Sequence, residues 1–315
     1  MPTALITGIN GQDGSYLSES LKARGYRIVG IDLVARPAAP GIEVIVGNVS
    51  DAETVRAAVH TAQPDEIYHL AGQSSVGRSF SDPAGTFISN AVSTLHVLEA
   101  ARAEQQAPRV LIAASGELFG DTGGAPANEK TPFQPRSPYS AAKCSAANLV
   151  QSYRASFGLF CCVAFFYNHE SPRRPETFVT RKIVRGACLI ARGRADKLEL
   201  GDTSVIRDWG YAPEYMEAAR RMLAQPNAED LVIATGKSCS LEHFLELAFT
   251  RVGLDYRKYV VRNPMHVRNT DIRAMNADPS RAAERLGWRA ETQVEALIDR
   301  LVTAEFAQLD AENQR

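Results

Sequence analysis

A strand, a glycine-rich turn and a helix within the first 24 residues constrain the fold of this chain most strongly. Residues 4–7 form a short apolar run, and Gly8, Gly11 and Gly14 follow at three-residue spacing before a helical pattern that extends to about residue 24. Glycines in such a turn let the backbone approach a pyrophosphate closely, and the helix N-terminus supplies N–H donors. The segment therefore predicts a dinucleotide site, and the alternative is a glycine turn that serves tight packing only.

The alternation of strand and helix continues through the first half of the chain. Apolar runs predict strands at 26–32, 43–46, 66–70, 109–113 and 159–166, and helical spacing predicts helices at about 83–104 and 138–156. This pattern indicates the α/β class with a doubly wound parallel sheet, the Rossmann arrangement, covered by helices on both faces. Residues 1–166 are predicted to form an NAD(P)-binding Rossmann domain, which a later strand near 230–234 rejoins.

The pattern changes after residue 166. Residues 168–175 are polar and contain prolines, which predicts a loop. Helical patterns follow at about 178–191, 213–224, 241–252 and 294–311. Residues 167–315 are therefore predicted to form mainly a smaller, substrate-binding lobe.

Composition excludes several classes of protein. The 315 residues carry a net charge of −1, which argues against a nucleic-acid or membrane-surface partner. No apolar run reaches the roughly 18 residues needed to span a bilayer. The five cysteines are odd in number and lack C-x-x-C spacing, so neither disulfides nor a metal site is predicted, and a cytoplasmic location is expected.

Two charged residues at the end of the second predicted strand bear on cofactor choice. Asp32 ends that strand, where a carboxylate hydrogen-bonds ribose hydroxyls and repels a 2′-phosphate, so it favours NAD. Arg36 follows closely and would instead attract a 2′-phosphate. Either residue is alternatively a solvated loop charge.

Four residues form a candidate catalytic group. Tyr139 and Lys143 are four residues apart and therefore share one face of a predicted helix. A nearby ammonium lowers the pKa of a phenol, which makes the tyrosine a usable acid or base. Ser115 closely follows the strand predicted at 109–113, at a strand end where its hydroxyl could bind a reacting oxygen, and Glu117 is a possible second acid or base. The alternatives are a surface Tyr–Lys pair and a serine turn beside a solvated carboxylate.

Four further runs have distinctive sequences, namely residues 70–74 (LAGQS), 131–139 (TPFQPRSPY), 167–174 (YNHESPRR) and 207–210 (RDWG). In the glycine turn, residues 70–74, Ser115 and the Tyr139/Lys143 pair, the chain resembles the extended short-chain dehydrogenase/reductases. In the other three runs it resembles most of all the GDP-mannose 4,6-dehydratases, and this closer resemblance covers almost the whole chain. The resemblance implies a GDP-sugar 4,6-dehydratase, a lyase of deoxysugar biosynthesis that recycles a tightly bound NAD(P).

The resemblance also implies site residues. Asn168, Arg207 and Arg268 match diphosphate contacts, Lys182 matches a guanine-lobe contact and Asp271 a ribose contact. Val179 joins this substrate set. The implied cofactor contacts, besides Tyr139 and Lys143, are Gly8, Asn10, Gly11, Gln12, Asp13, Gly14, Asp32, Arg36, Asn48, Val49, Leu70 and Ala71.

The resemblance further implies NADP and a dimer formed by the helices near 83–104 and 138–156. The loop after the second strand is shorter than in those dehydratases and lacks their paired arginines, so a homodimer is expected rather than a tetramer. Asp32 departs from their apolar residue and favours NAD. Two other functions remain open: a GDP-4-keto-6-deoxy-sugar reductase or epimerase, and a non-catalytic NAD(P)-sensing module.

Overall fold

The computed structural model describes residues 1–35, 40–263 and 272–312. Twelve strands occur in these ranges, and they are β1 Thr3–Thr7, β2 Arg27–Asp32, β3 Glu43–Val46, β4 Glu66–His69, β5 Arg109–Ser115, β6 Cys161–Phe166, β7 Asn168–Glu170, β8 Leu198–Leu200, β9 Ile206–Tyr211, β10 Leu231–Ile233, β11 Ser238–Ser240 and β12 Val260–Arg262. Eleven α-helices accompany them within the same ranges, and they are α1 Gln12–Ala23, α2 Ala52–Ala62, α3 Val76–Ser81, α4 Pro83–Phe87, α5 Ser93–Ala103, α6 Pro138–Phe157, α7 Val179–Ala191, α8 Ala212–Leu223, α9 Leu241–Arg251, α10 Ser280–Leu286 and α11 Val294–Glu312.

Seven strands form one parallel sheet in the order β10-β6-β5-β4-β1-β2-β3. The strand order reverses between β4 and β1, and in open α/β sheets ligands bind at such a reversal, beyond the carboxyl ends of the strands. The predicted Rossmann arrangement is confirmed, and so is the late return of the chain, because β10 pairs with β6. The candidate site should accordingly lie where β1, β4 and β5 end.

Apolar side chains cover both faces of this sheet. One face carries α2, α5 and α6 through a core that includes Val55, Val97 and Val150. The other face carries α1 and α8, whose Leu17 and Met216 are fully buried. Burial on both faces explains why these strands have continuous apolar runs rather than alternating ones.

A separate apolar core lies in the second half of the chain. It joins α7, α9 and α11, with Ile183, Phe244 and Leu301 among its buried members. Next to it, β9 pairs with β7 and β11, and β8 pairs with β12. These short strands hold the loops that face the main sheet.

Two local predictions were wrong. The segment 168–175 is not wholly a loop, because β7 occupies its start and pairs in parallel with β9. The helix predicted at 83–104 is interrupted by a π-helical turn at Ile88–Val92, between α4 and α5. Such turns widen the helix by one residue and often occur beside functional sites.

Candidate active site

The glycine turn between β1 and α1 has the close backbone approach that a pyrophosphate site requires. Gly8 has φ +71°, and a Cβ there would lie 3.0 Å from the Ala71 backbone. A Cβ on Gly14 would lie 2.6 Å from the Ile9 Cα. Gly11 caps α1 without a side chain, so the first N–H groups of the helix face the cleft. The cradle therefore fits the diphosphate of a dinucleotide.

The carboxylate of Asp32, which ends β2, lies beside this cradle. Its Oδ2 accepts a hydrogen bond from the Asn10 N–H at 3.0 Å, and the Asn10 side chain donates to the Val34 carbonyl at 2.9 Å. Asn48 and Val49 line the same end. Arg36, the competing 2′-phosphate contact, lies outside the described residues.

An ion pair joins α1 to β7 beneath the cradle. His169 Nε2 lies 3.0 Å from Asp13 Oδ2, and His169 Nδ1 donates to the Tyr167 carbonyl at 2.7 Å. A proton must therefore lie between His169 and Asp13, since the other nitrogen already carries one. Burial acts against both charges, but their attraction holds the pKa of Asp13 down to about 2 and raises that of His169.

Tyr139 and Lys143 lie in the first turns of α6, where both are buried. Ser137 caps this helix by accepting from the Ser140 N–H at 3.0 Å, and Pro138 takes the first helical position. The Lys143 ammonium donates to the Ala113 carbonyl at 2.8 Å and lies 6.0 Å from the centroid of the Tyr139 ring. The helix thus delivers both side chains to the carboxyl end of β5.

The pKa values of this pair differ from the sequence-based expectation. Burial raises the pKa of Tyr139 to about 12, although a hydrogen bond with Ser115 acts in the opposite direction. Burial also lowers the pKa of Lys143 to about 8. The expected lowering of the phenol pKa by Lys143 is not seen, because desolvation outweighs a cation held at this distance.

Glu117 follows β5 in a tight turn beside this pair. Ser115 Oγ accepts a hydrogen bond from the Glu117 N–H at 3.2 Å, which fixes the turn. The negative charge of Glu117 further raises the pKa of Tyr139, so the carboxylate and the phenol are electrostatic neighbours. A carboxylate, a hydroxyl, a phenol and an ammonium thus meet at one strand end.

The residues assigned to the nucleotide of a substrate lie opposite the cradle. Arg207 is 7% exposed, and its Nη1 donates to the carbonyls of Ile206 and Ile272 at 2.8 Å each. Val179 and Lys182 lie in the first turn of α7, and Asn168 begins β7. Arg268 and Asp271 lie outside the described residues.

One cleft of about 1310 Å³ brings these groups together. Every predicted site residue within the described ranges lines it, from Gly8 and Leu70 at the cofactor end to Lys182 and Arg207 at the other. The cleft runs along the carboxyl ends of the strands, as the strand order requires. Its volume leaves room for two ligands, with the candidate catalytic group between the cofactor end and the other end.

Sequence reasoning missed two cationic residues of the cleft, His169 and Arg174. Arg174 Nε lies 3.3 Å from the buried Glu170 carboxylate, and its guanidinium covers the Phe178 ring at 3.8 Å. Its charge lowers the pKa of Tyr139, so it acts on the candidate catalytic phenol. Both residues belong to the 167–174 run, whose polarity and paired arginines were the available signal.

Comparisons with known proteins agree with this geometry. The family model for GDP-mannose 4,6 dehydratase matches residues 5–301. GDP-mannose 4,6 dehydratase 1 of Arabidopsis thaliana is 39% identical over 95% of this chain and 88% of its own length. A UDP-glucose 4-epimerase from Thermus thermophilus, solved with NAD, has a TM-score of 0.85 at 25% identity, covering 96% of this chain and 99% of its own. RMD from Pseudomonas aeruginosa, solved with NADPH, has a TM-score of 0.84 at 23% identity, covering 98% and 100%. The chain belongs to the GDP-mannose 4,6 dehydratase family.

Proposed function

We propose that this chain is a GDP-mannose 4,6-dehydratase that converts GDP-mannose into its 4-keto-6-deoxy derivative and water. The observation that carries the proposal is the single cleft in which Ser115, Glu117, Tyr139 and Lys143 lie between a dinucleotide cradle and a cationic nucleotide end. The family match over residues 5–301 supports the same substrate.

The reaction needs more than an acid and a base. The C6–O bond does not break readily while the C5 proton is not acidic, and oxidation at C4 makes that proton acidic. A bound nicotinamide cofactor supplies the oxidation at C4 and the matching reduction at C6, so it is regenerated in each cycle. The glycine cradle, Asp32 and Lys143 would hold this cofactor, and the protein side chains move the protons.

Tyr139 takes the proton of the C4 hydroxyl and later returns a proton to C5. Because the pKa of Tyr139 is about 12, ionising its phenol is costly, so the groups that stabilise the phenolate are important. The hydrogen bond from Ser115 and the positive charge of Arg174 act in this direction. Ser115 then donates to the new C4 carbonyl oxygen.

Glu117 serves the elimination step. The C5 proton, now next to a ketone, passes to the Glu117 carboxylate. The carboxylic acid so formed gives this proton to the C6 oxygen, and the C6–O bond breaks to release water. One side chain thus acts first as base and then as acid.

The cofactor is a nicotinamide dinucleotide, and NAD is the form we propose. Asp32 Oδ2 lies at the ribose end and would repel a 2′-phosphate. Family resemblance points to NADP, so the comparison of NAD and NADP affinities is decisive. A strong preference for NADP that Arg36→Ala abolishes would contradict the argument from Asp32.

Assembly as a homodimer is proposed through the helices predicted at 83–104 and 138–156. Phe80, Phe87 and Ile88 are between 43% and 47% exposed along this part of the chain, and Phe157 at the end of α6 is 55% exposed. Large apolar groups exposed together are typical of an interface. Light scattering should give twice the chain mass at low concentration, and a stable tetramer would contradict the proposal.

Domain division and location are proposed with the same function. Residues 1–166, with β10, bind the cofactor, and residues 167–315 bind mainly the nucleotide sugar. Within the described ranges, no helix is both long and apolar enough to cross a membrane. We assign the enzyme to the cytoplasm, and cell fractionation tests this.

The test of function is product mass. Purified protein incubated with GDP-mannose and no added cofactor should yield a product lighter by one water. Stoichiometric consumption of NAD(P)H with a 4-keto sugar would instead identify a reductase. Interconversion of sugar isomers would identify an epimerase, and cofactor binding without turnover would identify a sensing module.

A further inference from the structure

A carboxylate stands in the loop between β8 and β9, at the nucleotide end of the cleft. Asp202 Oδ1 accepts hydrogen bonds from the N–H and the hydroxyl of Ser204, at 2.8 and 2.7 Å. These bonds lower the pKa of Asp202, so its carboxylate is ionised at neutral pH. Among the described residues, no group donates a hydrogen bond to Asp202 Oδ2. The side chain is therefore fixed through one oxygen while the other remains available for a ligand.

The position of this charge is unusual for an anion site. Arg174, Lys182 and Arg207 line the same half of the cleft, as expected where a diphosphate binds. Among the described residues after 166 that line the cleft, Asp202 is the one carboxylate. A carboxylate there would repel phosphate, so it favours binding only if it faces hydrogen-bond donors of the ligand.

The surroundings of Asp202 suit a flat heterocycle. Leu200, Val205 and Leu241 line the cleft beside it and offer apolar surface. Guanine presents two adjacent donor groups, the ring N1–H and the 2-amino group, which complement a carboxylate. Adenine has an acceptor at N1, and uracil has a single N–H between two carbonyl oxygens.

We propose that Asp202 is a specificity-determining residue that selects guanine by accepting hydrogen bonds from its N1–H and 2-amino donors. The proposal deepens the function above and rests on it, because it assumes a GDP-sugar in this cleft. Lys182, assigned by resemblance to the same lobe, is suited to the guanine O6, since an ammonium donates where a carboxylate accepts.

IDP-mannose tests the proposal, because hypoxanthine differs from guanine only by lacking the 2-amino group. We expect wild-type protein to prefer GDP-mannose over IDP-mannose by about 10- to 100-fold in kcat/KM. Asp202→Asn keeps an oxygen for Ser204 but turns a donor toward the base, so the ratio should fall to about 1. A binding titration of GDP and IDP should give the same pattern without turnover.

Two control variants separate base reading from loop structure. Ser204→Ala removes the hydroxyl that holds Asp202 Oδ1. It should change kcat/KM for GDP-mannose and IDP-mannose by the same factor, so that their ratio is unchanged. Asp196→Asn removes an exposed carboxylate that lies away from the cleft, and it should leave kcat/KM unchanged for both substrates. Stability of each variant is followed by thermal unfolding.

Each outcome decides one question. An unchanged GDP-to-IDP ratio in Asp202→Asn would overturn the proposal. If Asp202→Asn loses discrimination against a 2′-deoxyribose analogue of GDP-mannose while its GDP-to-IDP ratio is unchanged, Asp202 contacts the ribose and the proposal is overturned. Absence of water loss from GDP-mannose in the wild type would refute the proposed function alone, because the GDP and IDP titrations still report on Asp202.

Discussion

Replacement of Gly14 by alanine should abolish tight cofactor binding while leaving a folded protein. The added Cβ would lie 2.6 Å from the Ile9 Cα and nearer still to the Gly8 carbonyl oxygen, so both clashes are with backbone atoms. Ordinary contact begins at 3.4 Å, so the start of α1 must move away from the turn by more than about 0.8 Å. Overpacking of this kind costs about 1–3 kcal/mol of stability.

The functional loss should exceed the loss of stability. The first N–H groups of α1 face the cleft, where the diphosphate would bind, and a displacement near 1 Å in a preorganised site costs about 100-fold. NADH titration followed by fluorescence measures this affinity, and urea unfolding measures stability.

Gly158→Ala is the matched control, because Gly158 has φ +65° and open space around it. It should lose roughly 1–2 kcal/mol of stability through backbone strain alone and keep cofactor affinity. Equal loss of affinity in the two variants, or wild-type affinity in Gly14→Ala, would refute the cradle argument.

Two further predictions concern the catalytic group and the nucleotide end. Glu117→Gln should still reduce bound cofactor transiently, which is seen as absorbance near 340 nm, but it should release water about 100-fold more slowly than the wild type. Tyr139→Phe should block both steps. Water release by Glu117→Gln at the wild-type rate would remove Glu117 from the mechanism. Arg207→Ala should weaken GDP binding by about 10- to 100-fold and leave NAD binding unchanged, because a buried charge-assisted bond contributes about 1.5–3 kcal/mol. If calorimetry shows equal losses of affinity for both ligands, Arg207 is misassigned.

The Rossmann portion was predictable because its information is local. Each main-sheet strand has four residues or more, apart from the three-residue β10, and β5 extends two residues beyond its predicted end to deliver Ser115. Five strands of the second half, β7, β8, β9, β11 and β12, were not predicted. Four of them have only three residues, too few for a periodic pattern to emerge. The π-helical turn was missed because helical spacing continues on both sides of it.

The same distinction between local sequence patterns and long-range contacts applies to the site residues. Ser115, Tyr139 and Lys143 follow from motif spacing, because each sits at a fixed distance from a strand or helix end. The pairing of His169 with Asp13 spans 156 positions of sequence, and no local pattern encodes it. The guanidinium of Arg174 is likewise oriented by Glu170 and Phe178, which are contacts that only the folded chain creates.

The pair of Asp13 and His169 should make stability depend on pH in a defined direction. The pKa of Asp13 is lowered from 3.8 to about 2, so its contribution is complete above pH 3.8 and is lost as pH falls toward 2. The pKa of His169 is raised above 6.5, so its contribution is complete below pH 6.5 and is lost as pH rises past the raised value. The pair therefore stabilises the fold most between these limits, by an amount on the order of 2 kcal/mol.

Asp13→Asn is the variant that tests this dependence. It should reduce the unfolding free energy by about that amount near pH 5.5 and by much less near pH 9, where a neutral His169 would turn a lone pair toward the carboxylate. Glu246→Gln, in the exposed pair with His243, is the control and should change little at either pH, because solvent screens that contact. An effect of Asp13→Asn that is equal at both pH values would show that the side chain acts through packing, and that no proton is shared between α1 and β7.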